Sequence, residues 1–205
     1  DGKEAEFFVA AQRRGRLGLL VRDSLAGIGT VTYVDPETGR YGALGHGVND
    51  LAAGRLLEIS TGILVPASVK GVRRGVRGTP GELRGEFDAE RCIGTVEANT
   101  ERGIFGVMAE IPKQPALPVG AAETVREGPA SILTNVDGTE VREYAIRIDR
   151  VSQGAENGRD LLLTVTDPEL LAVTGGIVQG MSGSPILQSG RIIGAVTHVL
   201  VNHPE

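Results

Sequence analysis

The sequence predicts an all-β protein, and three observations support this fold class. Apolar and polar residues alternate in many short runs, turn-forming residues separate the runs, and a single segment carries a full set of helix signals. Short strands at such spacing are typical of a β-barrel or a β-sandwich. The length of 205 residues suits one or two domains with a sizeable core.

The predicted strands begin at residues 30–33, where Val31 and Tyr33 alternate with threonines. Residues 35–39 follow as a turn with Asp, Pro and Gly in turn positions. Further turns are predicted at 137–138 (Asp-Gly) and 157–158 (Asn-Gly). The other predicted strands are 62–66, 92–98, 104–111, 131–134, 141–151, 161–166, 176–179, 185–188 and 191–201.

The one clear helix signal lies in "TDPELLAVTGG". Asp167 is suited to the N-cap, Pro168 to the first helical position and Glu169 to the first turn, while Gly175 provides the stop. We therefore predict a short helix starting at Pro168.

Composition narrows the class of protein and its partners. With 40% hydrophobic and 23% charged residues, the chain resembles an ordinary soluble globular protein. A net charge of −5 does not favour binding to nucleic acid or to anionic membranes. No apolar run approaches the roughly 20 residues of a membrane span. Because the first residue is Asp1 and not Met, we expect a processed form or a fragment.

Two other features favour structural interpretations. The segment 69–86, rich in glycine and arginine, is predicted to be a solvated, mobile loop, with an acidic or phosphate-bearing partner as the alternative. The single cysteine, Cys92, precedes an alternating apolar run and is predicted to be a small core residue and not a nucleophile.

The stretch "QGMSGSPILQSG" raises the possibility of serine chemistry. Ser182 stands between Gly180 and Gly183, and these glycines allow a sharp turn and a close approach of the backbone to a substrate. A serine hydroxyl needs a base to take its proton, and backbone N–H groups must stabilise the oxyanion that forms. The alternative is a Gly/Ser/Pro connection between strands without any chemistry.

Three histidines are candidates for the base. His46 is flanked by glycines in "ALGHGVN", which predicts a loop or strand end where a general base is accessible. His198 alternates within apolar residues and is predicted to lie in the core or in a pocket wall, and His203 is predicted to be exposed.

Chain order separates the known designs of serine hydrolases. An α/β-hydrolase requires an acid and a histidine after the serine, but no aspartate follows Ser182 and "GMSGS" does not fit G-x-S-x-G. The subtilisin order fits Asp35, His46 and Ser182, but that fold needs alternating helices and parallel strands. The order histidine, acid, serine on an all-β chain matches the chymotrypsin design.

Longer motifs carry a family resemblance. "GMSGSP" is similar to the G-D-S-G-G-P motif of chymotrypsin-like peptidases. "VRDSLAGIGTVTYVDPETGRYGALGHGVND" and "TDPELLAVTGGIVQGMSGSPILQSGRIIGAVTHVLVN" resemble the histidine segment and the acid-and-serine segment of SpoIVB-type serine peptidases. The similarity spans about residues 20–203. It implies an all-β, trypsin-like double β-barrel with few short helices, covering residues 1–205 with a boundary near 112–130.

The resemblance also implies site residues. The family's histidine falls on His46, its acid on Asp167 and its serine on Ser182, with the N–H groups of Gly180 and Ser182 as the oxyanion hole. Asp149 and Asp160 are alternatives for the acid, because Asp167 is also the expected N-cap. No cofactor or metal is implied.

The biological setting is likewise what the resemblance implies. Members of the family are endopeptidases that act between the two membranes around the forespore, having been secreted across the inner one. They cleave a regulatory protein in sporulation signalling, and also themselves. They usually carry a membrane anchor and a PDZ domain, and no PDZ domain is expected in this chain. The expected partner is therefore a protein substrate that is membrane-associated. The alternative is a β-barrel module that binds or regulates without turnover.

Overall fold

The computed structural model describes residues 26–50, 54–59, 61–113, 115–152, 154 and 159–200. Antiparallel strands dominate, which confirms the all-β prediction. The strands are β1 (Val31–Val34), β2 (Arg40–Ala43), β3 (Asn49–Asp50), β4 (Arg55–Leu56), β5 (Gly62–Leu64), β6 (Ala67–Arg73), β7 (Glu82–Phe87), β8 (Gly94–Thr100), β9 (Gly103–Met108), β10 (Gly128–Thr134), β11 (Arg142–Val151), β12 (Leu161–Val165), β13 (Pro185–Gln188) and β14 (Arg191–Ala195). A 3₁₀ turn (Ala122–Thr124) and helix α1 (Pro168–Thr174) complete these elements.

The strands form two five-stranded sheets and two small hairpins. The first sheet has the order β1-β2-β9-β8-β5 and the second the order β12-β11-β10-β13-β14. Both strand orders are open within the described part of the chain. The hairpins are β3-β4 and β6-β7. This architecture is consistent with a chymotrypsin-like fold, and the division of the chain near 112–130 stays a prediction.

The main hydrophobic core lies on the second sheet and includes the β6-β7 hairpin. Ile132, Tyr144, Ile146 and Ile186 are at most 2% exposed and pack together with Val69 of β6 and with Leu83 of β7. These hairpin residues are therefore packed against a sheet whose strands all come later in the sequence.

Several local predictions are confirmed by the strands and turns. The run 185–188 is β13 with the predicted bounds, and most other predicted runs overlap a strand within a few residues. The 35–39 turn forms around Asp35, whose carboxylate accepts hydrogen bonds from the Thr38 hydroxyl and the Glu37 N–H. These two bonds, the first being the stronger cause, hold the pKa of Asp35 below its usual value.

Helix α1 begins and ends as the sequence predicts. Asp167 is the N-cap and accepts hydrogen bonds from the N–H groups of Glu169 and Leu170. Pro168 is the first helical residue, and Gly175 ends the helix in the left-handed conformation with φ 74°.

Three predictions from the sequence are wrong. Residues 176–179 form no strand and contribute a single bridge at Gln179. The basic segment 69–86 is not a loop but most of the β6-β7 hairpin, where ion pairs join Lys70 to Glu86 at 3.6 Å and Arg73 to Glu82 at 3.4 Å. Cys92 is exposed and lies outside the core.

Two sequence predictions cannot be compared with the structure. The turn at 157–158 and His203 lie outside the described residues. Within the described residues, no helix combines the length and apolar character needed to cross a bilayer.

Candidate active site

Ser182 and His46 meet although they are 136 residues apart in the chain. Ser182 lies in the loop between α1 and β13, and His46 lies in the loop after β2. The distance from Ser182 Oγ to His46 Nε2 is 2.9 Å, which is a hydrogen bond. The structure thus joins the predicted nucleophile to the predicted base.

The second ring nitrogen of His46 fixes which atom carries the proton. Nδ1 lies 2.9 Å from the backbone oxygen of Gly47, and a carbonyl oxygen only accepts hydrogen bonds. A neutral His46 ring therefore carries its proton on Nδ1, and Nε2 has a free lone pair. The Ser182 hydroxyl donates to that lone pair, which is the arrangement needed for general-base activation.

The backbone of Thr30 connects the two halves of this pair. Its N–H donates to the carbonyl of Ser182 at 2.8 Å, and its carbonyl accepts from the N–H of Leu44 at 3.1 Å. Leu44 is two residues before His46. The backbone of one residue therefore sets the spacing between the serine loop and the histidine loop, and nothing in the sequence pattern of residues 30–33 indicated this role.

The two glycines beside the serine are required by the backbone and its surroundings. Gly180 has φ +100° and Gly183 has φ +91°, a region that side chains strongly disfavour. A Cβ on Gly183 would strike the carbonyl oxygen of Thr30 and lie 2.6 Å from the N–H nitrogen of Leu44. A Cβ on Gly180 would lie 2.9 Å from Cβ of Leu83.

Between Gly180 and Ser184, two backbone N–H groups have no acceptor among the described residues. The other three N–H groups in this stretch donate to backbone carbonyls. The N–H of Met181 donates to Val178 at 3.2 Å, that of Gly183 to Val196 at 2.8 Å, and that of Ser184 to Met181 at 2.9 Å. The N–H groups of Gly180 and Ser182 make no such bond within the described chain. These are the two groups expected to bind an oxyanion. Between them, Met181 is fully buried, and its thioether packs in the core under the loop.

Comparison with protein families agrees with this geometry. A family model described as SpoIVB peptidase S55 matches residues 13–205. The chain belongs to this family. Searches of curated proteins and of solved structures gave no match. The SpoIVB peptidases are serine peptidases, so this match confirms the family resemblance that the sequence motifs predicted.

Asp167, the acid that the SpoIVB resemblance implies, is occupied elsewhere in this structure. Its Oδ1 accepts from Glu169 and Leu170 N–H groups at 3.0 Å each, and Oδ2 lies 3.3 Å from the N–H nitrogen of Ala145. No carboxylate within the described residues is hydrogen bonded to His46. The role of Asp167 as the orienting acid stays a prediction.

The alternative acids also have other partners. Asp149 binds the Thr164 hydroxyl at 2.5 Å and Arg147 at 2.6 Å, and these bonds, Thr164 first, hold its pKa below the usual value. Asp160 is exposed and also makes an interaction of its own. Neither carboxylate is placed at His46 by a hydrogen bond.

His198 lies at the site and not in the core. It is an exposed residue, and its ring centroid is 5.5 Å from that of His46. Partial desolvation, and then the charges of Arg159 and His46, lower the pKa of His198, so the ring is neutral at neutral pH. The described residues hold no cluster of three or more His, Cys, Asp or Glu able to bind a metal ion.

Ser184, the second serine of the motif, offers a stability prediction. It is fully buried, and its Oγ has no hydrogen-bond partner within the part of the chain that the structure describes. A buried hydroxyl without a partner costs about 1–3 kcal/mol, so Ser184→Ala is expected to leave the protein equally or more stable. Denaturant unfolding of the variant measures this, and a loss of more than about 1 kcal/mol would mean that the hydroxyl has a partner in solution.

Proposed function

We propose that this protein is a serine endopeptidase in which Ser182 is the nucleophile and His46 is the general base. The observation that carries this proposal is the hydrogen bond from Ser182 Oγ to a His46 Nε2 whose ring proton is held at Nδ1 by Gly47. The N–H groups of Gly180 and Ser182, which have no acceptor among the described residues, are the proposed oxyanion hole.

The chemistry follows from these positions. Ser182 Oγ attacks the carbonyl carbon of the scissile bond while its proton passes to Nε2 of His46. The former carbonyl oxygen becomes negative and is stabilised by the two N–H groups. The imidazolium of His46 then donates its proton to the leaving amine, and the peptide bond breaks. Water, activated by the same base, hydrolyses the acyl-enzyme and restores Ser182. Throughout, the Gly47 carbonyl holds the orientation of His46.

A fluorophosphonate probe tests the proposal directly. Covalent labelling of Ser182 in the folded protein is expected, because such a probe reacts with an activated serine. A folded protein that stays unlabelled at Ser182 would favour the non-catalytic binding module instead. Mass spectrometry of the labelled peptide identifies the residue and separates Ser182 from Ser184.

The two possible roles of Asp167 give different results for Asp167→Asn. If Asp167 acts only as the N-cap, Asp167→Asn should be labelled at close to the parent rate with a small change in melting temperature, because asparagine caps a helix as well as aspartate. If Asp167 instead fixed the tautomer of His46, turnover would fall by on the order of 10⁴-fold. Labelling rates and melting temperatures are compared for Asp167→Asn and for Asp160→Asn, which changes one of the alternative acids.

We further propose the setting that the family implies. The natural substrate is a membrane-associated regulatory protein of sporulation signalling, and cleavage of this chain by itself is a second reaction at the same site. The work takes place in the space between the membranes around the forespore, after export across the inner one. Incubation of purified parent protein and Ser182→Ala, followed by mass spectrometry of the fragments, tests the self-cleavage.

A further inference from the structure

A cavity adjoins the proposed oxyanion hole. It has a volume of about 230 Å³ and opens to solvent. Its walls come from the segment before β1, from β7 and from the start of the serine loop. The lining residues are Gly27, Ile28, Glu82, Leu83, Phe87, Gln179 and Gly180.

The wall of this cavity is tied to the catalytic loop. Gln179 exchanges two hydrogen bonds with the β7 side, since its carbonyl accepts from Leu83 N–H at 2.8 Å and its N–H donates to the Gly81 carbonyl at 3.0 Å. Gly180 fits directly against Leu83. The cavity is therefore held in a fixed position relative to the Gly180 N–H group.

The lining selects for an apolar occupant. Ile28, Leu83 and Phe87 provide hydrocarbon surface, and Phe87 is 42% exposed. Among the described residues, Glu82 is the only charged one in the lining, and its carboxylate lies 3.4 Å from Arg73 and 3.8 Å from Arg84. These two arginines repel a further basic side chain and so weaken its attraction to Glu82.

The cavity matches one large side chain in size. A cavity of about 150 Å³ lined by apolar groups holds a benzene molecule. The cavity next to Gly180 has a volume of about 230 Å³ and thus has room for a leucine or phenylalanine side chain. Since an extended peptide advances about 3.3 Å per residue, a peptide whose carbonyl oxygen meets the Gly180 N–H has its nearest side chains within reach of the cavity.

We propose that this cavity is a specificity subsite that takes a large apolar side chain within two residues of the scissile bond. The proposal rests on the peptidase function given above. Ile28, Leu83 and Phe87 are the specificity-determining residues, and the substrates are proteins with an aliphatic or aromatic residue next to the cleaved bond.

Phe87→Asp is the sharpest variant, because Phe87 is half exposed and its loss costs the core little. A mixture of random peptides is cleaved by the parent protein, and the products are sequenced by mass spectrometry. We expect one position within two residues of the cut to be enriched in Leu, Ile, Met or Phe. In Phe87→Asp this enrichment should fall by about tenfold, and Lys or Arg should become accepted there. Ile63→Ala, which removes an exposed apolar side chain of β5, is the control and should leave the profile unchanged.

Two further measurements separate the subsite from the catalytic proposal. Fluorophosphonate labelling reports the nucleophile alone, and affinity selection of the same peptides on Ser182→Ala reports binding alone. Labelling without apolar enrichment at any nearby position, or enrichment that Phe87→Asp leaves intact, overturns the subsite. Absence of both labelling and cleavage overturns the peptidase function, and peptide binding by Ser182→Ala then tests the subsite. If Ser182→Ala selects apolar peptides and the double variant with Phe87→Asp does not, the subsite is supported. If Ser182→Ala selects no peptides, the subsite is overturned.

Discussion

Replacing Ser182 by alanine is expected to reduce peptide cleavage by on the order of 10⁶-fold and to abolish covalent labelling. The variant removes the atom that attacks and the donor of the 2.9 Å bond to His46 Nε2. His46→Ala removes the only side-chain base that is hydrogen bonded to this hydroxyl among the described residues, and should lose nearly as much. Because the two residues act as one unit, the double variant should be little worse than either single variant.

Two neighbours serve as controls for this result. Ser184→Ala removes a hydroxyl that is buried and has no hydrogen bond to His46, and His198→Ala removes a ring that lies beside His46 but is not bonded to Ser182. Both are expected to keep most of the labelling. If Ser184→Ala loses labelling while Ser182→Ala keeps it, the nucleophile has been misassigned.

The sequence predicts best those parts of the fold that are determined locally. The 35–39 turn and the caps of α1 depend on side chains that bond the backbone within a few residues, so the pattern of Asp, Pro and Gly is enough. The β6-β7 hairpin was missed because its strands are rich in charge and glycine. Cross-strand ion pairs accompany it, but the burial of Val69 and Leu83 against the second sheet holds it in place, and that burial requires distant parts of the chain.

The candidate site likewise has one part that the sequence predicts and another part that it does not. Chemistry and motif similarity predict that Ser182 and His46 belong together, and the structure brings them together. The atoms that position them are backbone atoms, namely the Gly47 carbonyl and the peptide of Thr30, and a backbone atom leaves no signal in the residue type. Asp167 illustrates the reverse case, since one side chain matches two roles in sequence, and two of its three hydrogen bonds are those of a helix N-cap.

Gly183→Ala is expected to destabilise the protein and to lower the labelling rate of Ser182 by about 100-fold, because a shift of about 1 Å at the reacting groups costs this much. A Cβ at this position would strike the Thr30 carbonyl and approach the Leu44 nitrogen, so the contact between the serine loop and the histidine loop must open.

Gly190→Ala is a matched control: Gly190 also has a positive φ, +72°, but a Cβ there meets nothing within 4 Å. That control should show the backbone strain alone, about 1–2 kcal/mol, with normal labelling. Melting temperature and labelling rate are measured for both variants, and equal behaviour of the two would show that the peptide of Thr30 does not hold the catalytic pair together.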